Sequence, residues 1–526
     1  MPTITNVAGL LRSHTTYYVL IITLYGLLYG LDTASAAATL SLIKDRFKLN
    51  PLQLEYIGAS TSLGAIPGLL IVIAIGSRCS RKAILLVDSI AYVVGFALVG
   101  AATNFTIYIA GRTILGVAHG VSTMIVPVYV GEISPKELRG LFITFNTAAL
   151  NLGLPIGFAL SMLLELKVDS SRWVFIVNGA LSLAFAILIV IFVPNSPRDL
   201  IFRGKLEKAQ LVIQKLNYPN AFSQDDAAKE VHVLAKNFDE DSKPKFKDLF
   251  SAGNLRALTI SCVLQIAKQS SGFSALQYFS GYLFKLAGLS HGKILGQLPN
   301  LLLGSVQFIM AFGSLMTIDR LGRRKLLLVS SLAMAVGLIA LGGSFVAITG
   351  FEQINKSQCE EYTRCGSCVL DSACGWAAEM GKCMIMQYSS DANTMVLSGS
   401  CHLHSTRDHV GSWLAVVSLI LSLGAFALGL GSIPWVIQAE MFSQALRSKA
   451  GSVAAIVNWL FSYIWTVSFL QLAYVITLPV IFWLYATLLV SILFSVYWAI
   501  PETTGRTLED IVDGISNEAD HSTLDS

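Results

Sequence analysis

The chain has 526 residues, of which 54% are hydrophobic and only 13% are charged, and its mean hydropathy is +0.63. A soluble domain carries about a quarter charged residues, so this composition excludes an ordinary soluble protein and indicates many membrane-spanning helices. The formal net charge of +4 comes from basic residues spread over short loops, and it does not predict a nucleic-acid partner. The sequence shows no phosphate-binding loop, hydrolytic triad or nucleic-acid motif, so it predicts neither an enzyme nor ATP-driven transport.

Long apolar stretches recur along the chain. Each has the length of about 20 residues that a helix needs to cross a bilayer. We predict about twelve spans, at 17–43, 56–76, 83–103, 106–130, 141–164, 173–193, 256–287, 298–318, 325–350, 411–437, 449–475 and 478–500. An even number of spans places both termini on one side of the membrane. The distribution of Lys and Arg among the loops favours the cytoplasmic side for both termini. We expect a multi-pass protein of the plasma membrane.

The predicted spans fall into two halves that repeat each other. Glu132 and Arg139, which follow span four, recur as Glu440 and Arg447 after span ten with the same spacing of seven residues. A parallel six-plus-six repeat of this kind is typical of secondary transporters. The predicted parts are an N-terminal bundle (1–193), a cytoplasmic helical linker (194–255), a C-terminal bundle (256–350 and 410–500), an insertion (351–409) and a cytoplasmic tail (501–526).

The insertion contains most of the cysteines of the chain. Six of the eight lie there, namely Cys359, Cys365, Cys368, Cys374, Cys383 and Cys401. A loop that follows an odd-numbered span faces the outside, so the insertion is predicted to be extracellular and its cysteines to form disulfides, with fifteen possible connectivities left open. Two glycosylation sequons, at Asn355 and Asn104, are also predicted outside, and Asn104 lies close to the membrane.

Two charged residues lie inside predicted spans. Asp32 in span one and Arg112 in span four both lie roughly 9–17 Å below the outer surface at a rise of 1.5 Å per residue. Opposite charges at similar depth in a membrane are expected to pair. A carboxylate there can bind a proton when the site is dry and release it when the site is wet, which proton coupling requires. A purely structural ion pair is the alternative.

Several motifs together resemble the sugar porter family of the major facilitator superfamily. They are DRLGRRK (319–325), PNSPR (194–198), PETTG (501–505) and GR…PVYVGEISPKELRG (111–140). The resemblance implies an all-α membrane protein with the major facilitator fold, two six-helix bundles and alternating access. The cysteine-rich insertion between spans nine and ten is similar to that of animal proton-coupled myo-inositol transporters. It implies a small polyol as substrate and a proton as coupling ion, with Asp32 as proton carrier and no other cofactor.

The same resemblance implies a substrate groove built from spans seven, ten and eleven. Its predicted members are Gln265, Lys268, Gln269, Ser274, Trp435, Asn458 and Trp459. Where the family reads QQLSGIN, this chain reads KQSSGFS, so Lys268 and Ser274 each replace an amide. In span five, Thr147 and Leu154 stand where many members have glutamine. Lys268 either pairs with carboxylate or carbonyl groups or alters substrate choice or coupling, and the sequence leaves both interpretations open.

Charged residues cluster at the cytoplasmic ends of the spans. They are Arg81, Glu132, Arg139, Asp319, Arg323, Arg324, Glu440, Arg447 and Glu502. We predict that ion pairs among them close the inner mouth, although one exposed pair contributes at most about 1 kcal/mol and only a network could bias the switch. Topology and helix capping are the alternative explanation. His119 in span four is predicted to be a packed or hydrogen-bonded residue and not a proton relay.

The function predicted from these patterns is proton/myo-inositol symport by a monomer in the lipid bilayer. A facilitative hexose carrier is one alternative. A transporter-like sensor is another, because the groove departs from the family at several positions and the insertion could bind an extracellular protein partner.

Overall fold

The computed structural model describes most of the membrane region and parts of the linker and insertion. The described residues are 14–76, 79–135, 138–164, 170–217, 224–240, 246–287, 295–350, 374–377, 382–385, 406–442 and 446–499.

The first bundle consists of six long helices, and the starts of three of them are fixed by side-chain caps. Asn50 and Gln53 form a capping box, and the side chains of Ser80 and Asn104 accept hydrogen bonds from backbone N–H groups in the first turns that follow them. The helices are α1 (His14–Phe47), α2 (Pro51–Ile75), α3 (Arg81–Ala101), α4 (Phe105–Ile133), α5 (Arg139–Leu164) and α6 (Ser170–Phe192).

The linker between the bundles is helical, as its amphipathic sequence predicts. It contains α7 (Pro197–Phe202), α8 (Leu206–Asn217) and α9 (Gln224–Glu240), followed by a 3-10 turn over Phe246–Phe250. The three helices share a small apolar cluster of their own, separate from the main core, in which Ile213 and Val231 are buried. The linker is thus a packed subdomain on the predicted cytoplasmic face.

The second bundle differs from the first because several of its spans are broken. The predicted span 256–287 is three helices, and Gly272 breaks the first from the second with a φ of 75°. The helices are α10 (Ala252–Ser270), α11 (Phe273–Tyr278), α12 (Ser280–Leu286), α13 (Leu298–Leu321), α14 (Arg323–Thr349), α15 (Thr406–Leu428), α16 (Ile433–Glu440), α17 (Arg447–Val467), α18 (Phe469–Ile476) and α19 (Leu478–Ala499).

The number of membrane spans agrees with the sequence once these breaks are counted. Ten helical spans among the described residues are long and apolar enough to cross a membrane, and an eleventh is the pair α18 and α19, bent by 115° at Thr477. The broken stretch from α10 to α12 accounts for the remaining span. The all-α membrane fold with about twelve spans is therefore confirmed.

The described β-strands of the chain lie in the insertion. Strands β1 (Cys374–Ala377) and β2 (Lys382–Ile385) pair antiparallel, with Trp376 opposite Cys383. Cys383 is buried and disulfide-bonded. The side chain of Cys374 and the residues Cys359, Cys365, Cys368, Cys401 and Asn355 lie outside the described part, so their pairing and glycosylation stay predictions.

The helices of the first bundle pack with very short backbone separations. A Cβ atom on Gly116 of α4 would overlap the carbonyl oxygen of Thr61 in α2, and one on Gly120 would overlap that of Ala65. The glycine-bearing face of α4 is thus the surface that contacts α2.

The two bundles touch each other along the outer half of α2. The hydroxyls of Ser62 and Ser462 lie 2.9 Å apart, as do those of Thr61 and Tyr278. Glu55 crosses the same boundary, because its carboxylate accepts a hydrogen bond from the backbone N–H of Gln471 at 2.8 Å. In the orientation predicted from the loop charges, the described conformation is therefore closed toward the outside.

Candidate transport site

The centre of the first bundle contains a buried ion pair. Nη1 of Arg112 donates a hydrogen bond to Oδ1 of Asp32 at 2.6 Å, and both side chains are completely buried. The pair joins α1 to α4, as the similar depths of the two residues predict. Charges in this setting are retained only with a partner, and such residues in a membrane span mark ion or substrate pathways.

His119 is a third member of this group, although the sequence predicts only a packed or hydrogen-bonded residue there. Its Nε2 lies 3.6 Å from Oδ2 of Asp32, and its side chain is fully buried. Neither ring nitrogen has a hydrogen-bond partner among the described residues. The available signal was spacing, because His119 follows Arg112 by seven residues and therefore lies on the same face of α4.

An aromatic contact connects this group to the second bundle. The ring of Tyr29 in α1 lies 4.4 Å from the ring of His119 on one side and 5.9 Å from that of Trp459 on the other, between centroids. Trp459 belongs to α17 and was predicted to bind substrate. Tyr29, which the sequence analysis did not single out, therefore places the ion pair and the predicted groove in one continuous cluster.

The predicted groove residues form a hydrogen-bonded chain at the break between α10 and α11. Gln269 donates through Nε2 to Oδ1 of Asn458 at 2.8 Å and accepts from the hydroxyl of Ser274 at 2.7 Å. Ser462 in turn donates to Ser274 at 2.9 Å and contacts Ser62 of the first bundle. The structure thus brings together three predicted residues and adds the two serines that extend the chain across the bundle boundary.

A second amide pair lies one helical turn away. Gln265 donates to Oε1 of Gln438 at 3.0 Å, and Gln438 in α16 is a residue that the prediction missed. The acceptor oxygen of Gln265 and the indole N–H of Trp459 are buried without a hydrogen-bond partner among the described residues. Buried polar groups left unpaired in this way are costly, and a ligand rich in hydroxyl groups can pair with both.

Lys268 lies beside aromatic rings and not beside a carboxylate. Its Nζ is 4.9 Å from the ring centroid of Trp435 and 5.9 Å from that of Phe426, and the residue is 9% exposed. Among the described residues it forms no ion pair. The cation therefore occupies the face of the indole that the family resemblance assigns to substrate stacking.

The cytoplasmic cluster contains two described ion pairs, one in each bundle. Arg81 lies 3.2 Å from Glu132, and Arg323 lies 3.3 Å from Glu440. In this conformation each pair joins helices of the same bundle, so neither connects the bundles across the inner mouth. The side chains of Asp319 and Arg447, and the whole of Glu502, lie outside the described residues.

Two helical bundles with broken spans and a buried ion pair beside a polar central cluster define a secondary transporter with the major facilitator fold. The family model "Sugar (and other) transporter" matches residues 18–359 and 382–513. The chain belongs to this family of sugar transporters and is a multi-pass membrane protein.

Known relatives are similar in sequence over nearly the whole chain. The human proton myo-inositol cotransporter is 28% identical, with 92% of this chain and 79% of the relative covered. Probable inositol transporter 2 of Arabidopsis thaliana is 27% identical, with 92% and 89% covered. The facilitated trehalose transporter Tret1 of Bombyx mori is 26% identical, with 91% and 82% covered.

Among solved structures, the xylose transporter XylE of E. coli in a partially occluded inward open conformation superposes with a TM-score of 0.71 at 19% identity. The match covers 94% of this chain and 99% of the other. The major facilitator fold is therefore confirmed.

Proposed function

We propose that the protein imports a small polyol together with a proton, with myo-inositol as the preferred substrate. The single observation that carries the proposal is the buried contact of Asp32 with both Arg112 and His119, next to a polar cluster with unpaired hydrogen-bonding groups. The curated relatives named as proton myo-inositol cotransporters support the same assignment.

The proposed coupling follows from the cost of buried charge. A proton that reaches Asp32 from the outside neutralises the carboxylate and weakens its hold on Arg112, which changes the packing of α1 against α4. Because α1 also carries Tyr29, this change reaches Trp459 and the groove. When the inner mouth opens, water reaches the site, the proton leaves, and the ion pair forms again.

In the same proposal, the groove residues Gln265, Gln269, Ser274, Asn458 and Trp459 bind hydroxyl groups of the substrate, and Trp435 stacks on its ring. We assign the plasma membrane and cytoplasmic termini on the charge distribution. The charged cluster at the inner helix ends, through its two described ion pairs, stabilises each bundle separately. These roles apply to a single chain with no cofactor other than the proton.

A facilitative carrier is the second candidate, favoured by the relatives that are facilitated trehalose transporters. The two are separated by uptake of labelled inositol, glucose and trehalose into proteoliposomes that contain the full chain, with and without an inward proton gradient. Symport predicts that the wild type concentrates inositol only with the gradient, and that Asp32→Asn abolishes this accumulation but keeps exchange of labelled for unlabelled inositol. Equal accumulation by Asp32→Asn and wild type would overturn the coupling role.

A further inference from the structure

A second carboxylate lies inside the first bundle, apart from the pair already described. Asp88 of α3 is 3% exposed, and both of its carboxylate oxygens are buried without a hydrogen-bond partner in the described ranges. It forms no ion pair there either. A charged carboxylate in an apolar interior is strongly disfavoured unless it is paired, so this residue needs either a proton or a function that supplies one.

The position of Asp88 is between the ion pair and the cytoplasm. It follows the inner start of α3 by seven residues, which places it about 10 Å along the helix from that end. Arg112 follows the outer start of α4 by the same number, so it lies about 10 Å from the outer end of its helix. A proton that travels inward from Asp32 therefore reaches the depth of Asp88 before it reaches the inner surface.

Two tyrosines lie near Asp88. Tyr92 follows Asp88 by four residues and therefore lies on the same face of α3, and the hydroxyl of Tyr25 contacts Ser89, the residue next to Asp88. The ring of Tyr92 lies 5.5 Å from that of His119, and 6.0 Å from that of Tyr25. His119 contacts Asp32 in turn, so ionisable side chains follow one another from the ion pair to Asp88.

Hydroxyl groups line the same route. Tyr92 shares a hydrogen bond with Ser122 at 3.1 Å, and Tyr25 donates to the carbonyl of Leu85 at 2.6 Å while it also contacts Ser89. The interior next to Asp88 is therefore polar on the side that faces α1 and α4.

The helices near Asp88 carry several charged residues, but none of them pairs with Asp88 among the described residues. Helix α4 contributes Arg112 and His119 in its middle and Glu132 at its inner end, and α1 contributes Asp32. The charged residue of α6 is Arg172, near its outer start, and α3 itself carries Arg81 and Lys82 at its inner start. None of these side chains forms an ion pair with Asp88 in the described structure.

We propose that Asp88 is a second proton-binding residue of the transport cycle, which receives the proton that leaves Asp32 and passes it to the cytoplasm. The inference rests on the proposed proton coupling. The proton leaves Oδ2 of Asp32 and binds Nε2 of His119, which releases its Nδ1 proton to the hydroxyl oxygen of Tyr92. Tyr92 gives up its own hydroxyl proton to the Asp88 carboxylate, so that His119 and Tyr92 each end with as many protons as they began with. The proton on Asp88 is released to cytoplasmic water when the inner mouth opens, which restores the carboxylate, and no other bond changes.

The test compares two transport modes of Asp88→Asn in proteoliposomes of the full chain with labelled inositol. Asparagine copies the shape and the neutral state of a protonated aspartate but cannot release a proton. We expect the initial rate of proton-driven uptake to fall by about 100-fold, the low end of the effect of a positioned proton-transfer group. Exchange at equal pH on both sides needs no net proton release and stays near the wild-type rate.

Three further variants make the result decisive. Asp88→Glu keeps an acid and should recover proton-driven uptake, Tyr92→Phe removes the hydroxyl and should lower that uptake alone, and Asp225→Asn, an exposed acid of the linker, should match the wild type. Proton-driven accumulation by Asp88→Asn equal to the wild type would overturn the proposal, as would equal loss of uptake and exchange. If Asp88→Asn does not fold, Tyr92→Phe decides, since unaltered proton-driven uptake there contradicts the route.

The two proposals fail in different ways. Absence of gradient-driven accumulation in the wild type refutes proton coupling itself. Accumulation that is lost in Asp32→Asn but kept in Asp88→Asn leaves the coupling intact and refutes only the role of Asp88.

Discussion

The rings of Tyr29 and Trp459 lie 5.9 Å apart across the boundary between the two bundles. Tyr29 shares its helix with Asp32 and touches His119, whereas Trp459 is next to Asn458 of the amide chain. Movement of one bundle against the other must change this contact, which connects the buried charges to the groove.

Tyr29 is therefore expected to transmit coupling through its ring. Tyr29→Ala should reduce the ratio of proton-driven accumulation to exchange by about tenfold, equivalent to about 1.4 kcal/mol. Tyr29→Phe keeps the ring and serves as the matched control, with a ratio close to that of the wild type. An unchanged ratio in Tyr29→Ala would show that the two sites communicate by another path.

His119 is expected to tune the ion pair. His119→Ala removes the side chain 3.6 Å from Asp32 and leaves a polar void that water can enter, so the carboxylate should lose its proton more readily to the outside. The expected result is a proton-driven uptake that needs a more acidic external pH to reach half its maximum and has a lower maximal rate, because the proposed route to Asp88 passes through His119. His119→Asn, which keeps hydrogen-bonding capacity, should shift the profile less. A profile identical to the wild type in both variants would restore the packing role that the sequence alone predicts.

Lys268 is expected to limit access to Trp435. Because its ammonium lies 4.9 Å from the indole centroid, a substrate ring must compete with it for that face. Lys268→Gln removes a cation–π contact of about 0.5–2 kcal/mol and should lower the KM for inositol by about two- to thirtyfold. Lys268→Arg keeps the cation and should change KM little. If Lys268→Gln instead abolishes uptake of neutral polyols, the lysine is part of binding and the competition argument is wrong.

Gly116 is expected to be required for the contact between α2 and α4. A Cβ there would overlap the carbonyl oxygen of Thr61, whereas one on Gly343 of α14 would meet no atom within 4 Å. Gly116→Ala should destabilise the protein by about 1–3 kcal/mol, the usual cost of overpacking, and lower the melting temperature in detergent. Gly343→Ala should not lower it. Equal melting temperatures of the two variants would contradict the described packing of α2 on α4.

Glu55 is expected to hold the outer side closed. Glu55→Ala removes the acceptor of the Gln471 N–H, so the outer ends of α2 and α18 should separate more often, with faster labelling of Ser462→Cys by an external thiol reagent. Glu55→Gln retains an acceptor oxygen and should label at a rate near that of the parent. The contact has no gating role if Glu55→Ala also labels at the parental rate.

The sequence predicts the membrane spans and the ion pair because both follow from the positions of residues along the chain. Span length, charge position and the repeat of Glu132 and Glu440 are visible along the chain, and depth alone brings Asp32 to Arg112. The prediction does not extend to Tyr29 and Gln438, because their contacts depend on helix rotation, which position along the chain does not define. His119 is the intermediate case, since its spacing from Arg112 indicates the face of α4 but not the neighbour that this face meets.

The breaks of the second bundle at Gly272 and Thr477 were not predicted from the sequence. Gly272 could be suspected of a left-handed conformation, but Thr477, with a φ of 72°, carries a side chain type that rarely adopts it. The bend at Thr477 depends on how α18 and α19 pack in the folded chain, which the sequence does not show.

The location of the two cytoplasmic ion pairs has a consequence for the energetics of turnover. Because Arg81 binds Glu132 inside one bundle and Arg323 binds Glu440 inside the other, a rocking motion of the bundles as rigid bodies leaves both pairs unbroken. Added salt should then weaken the cohesion of each half more than it alters the frequency of switching. The ion pairs that stabilise each bundle would then stay formed through every transport cycle.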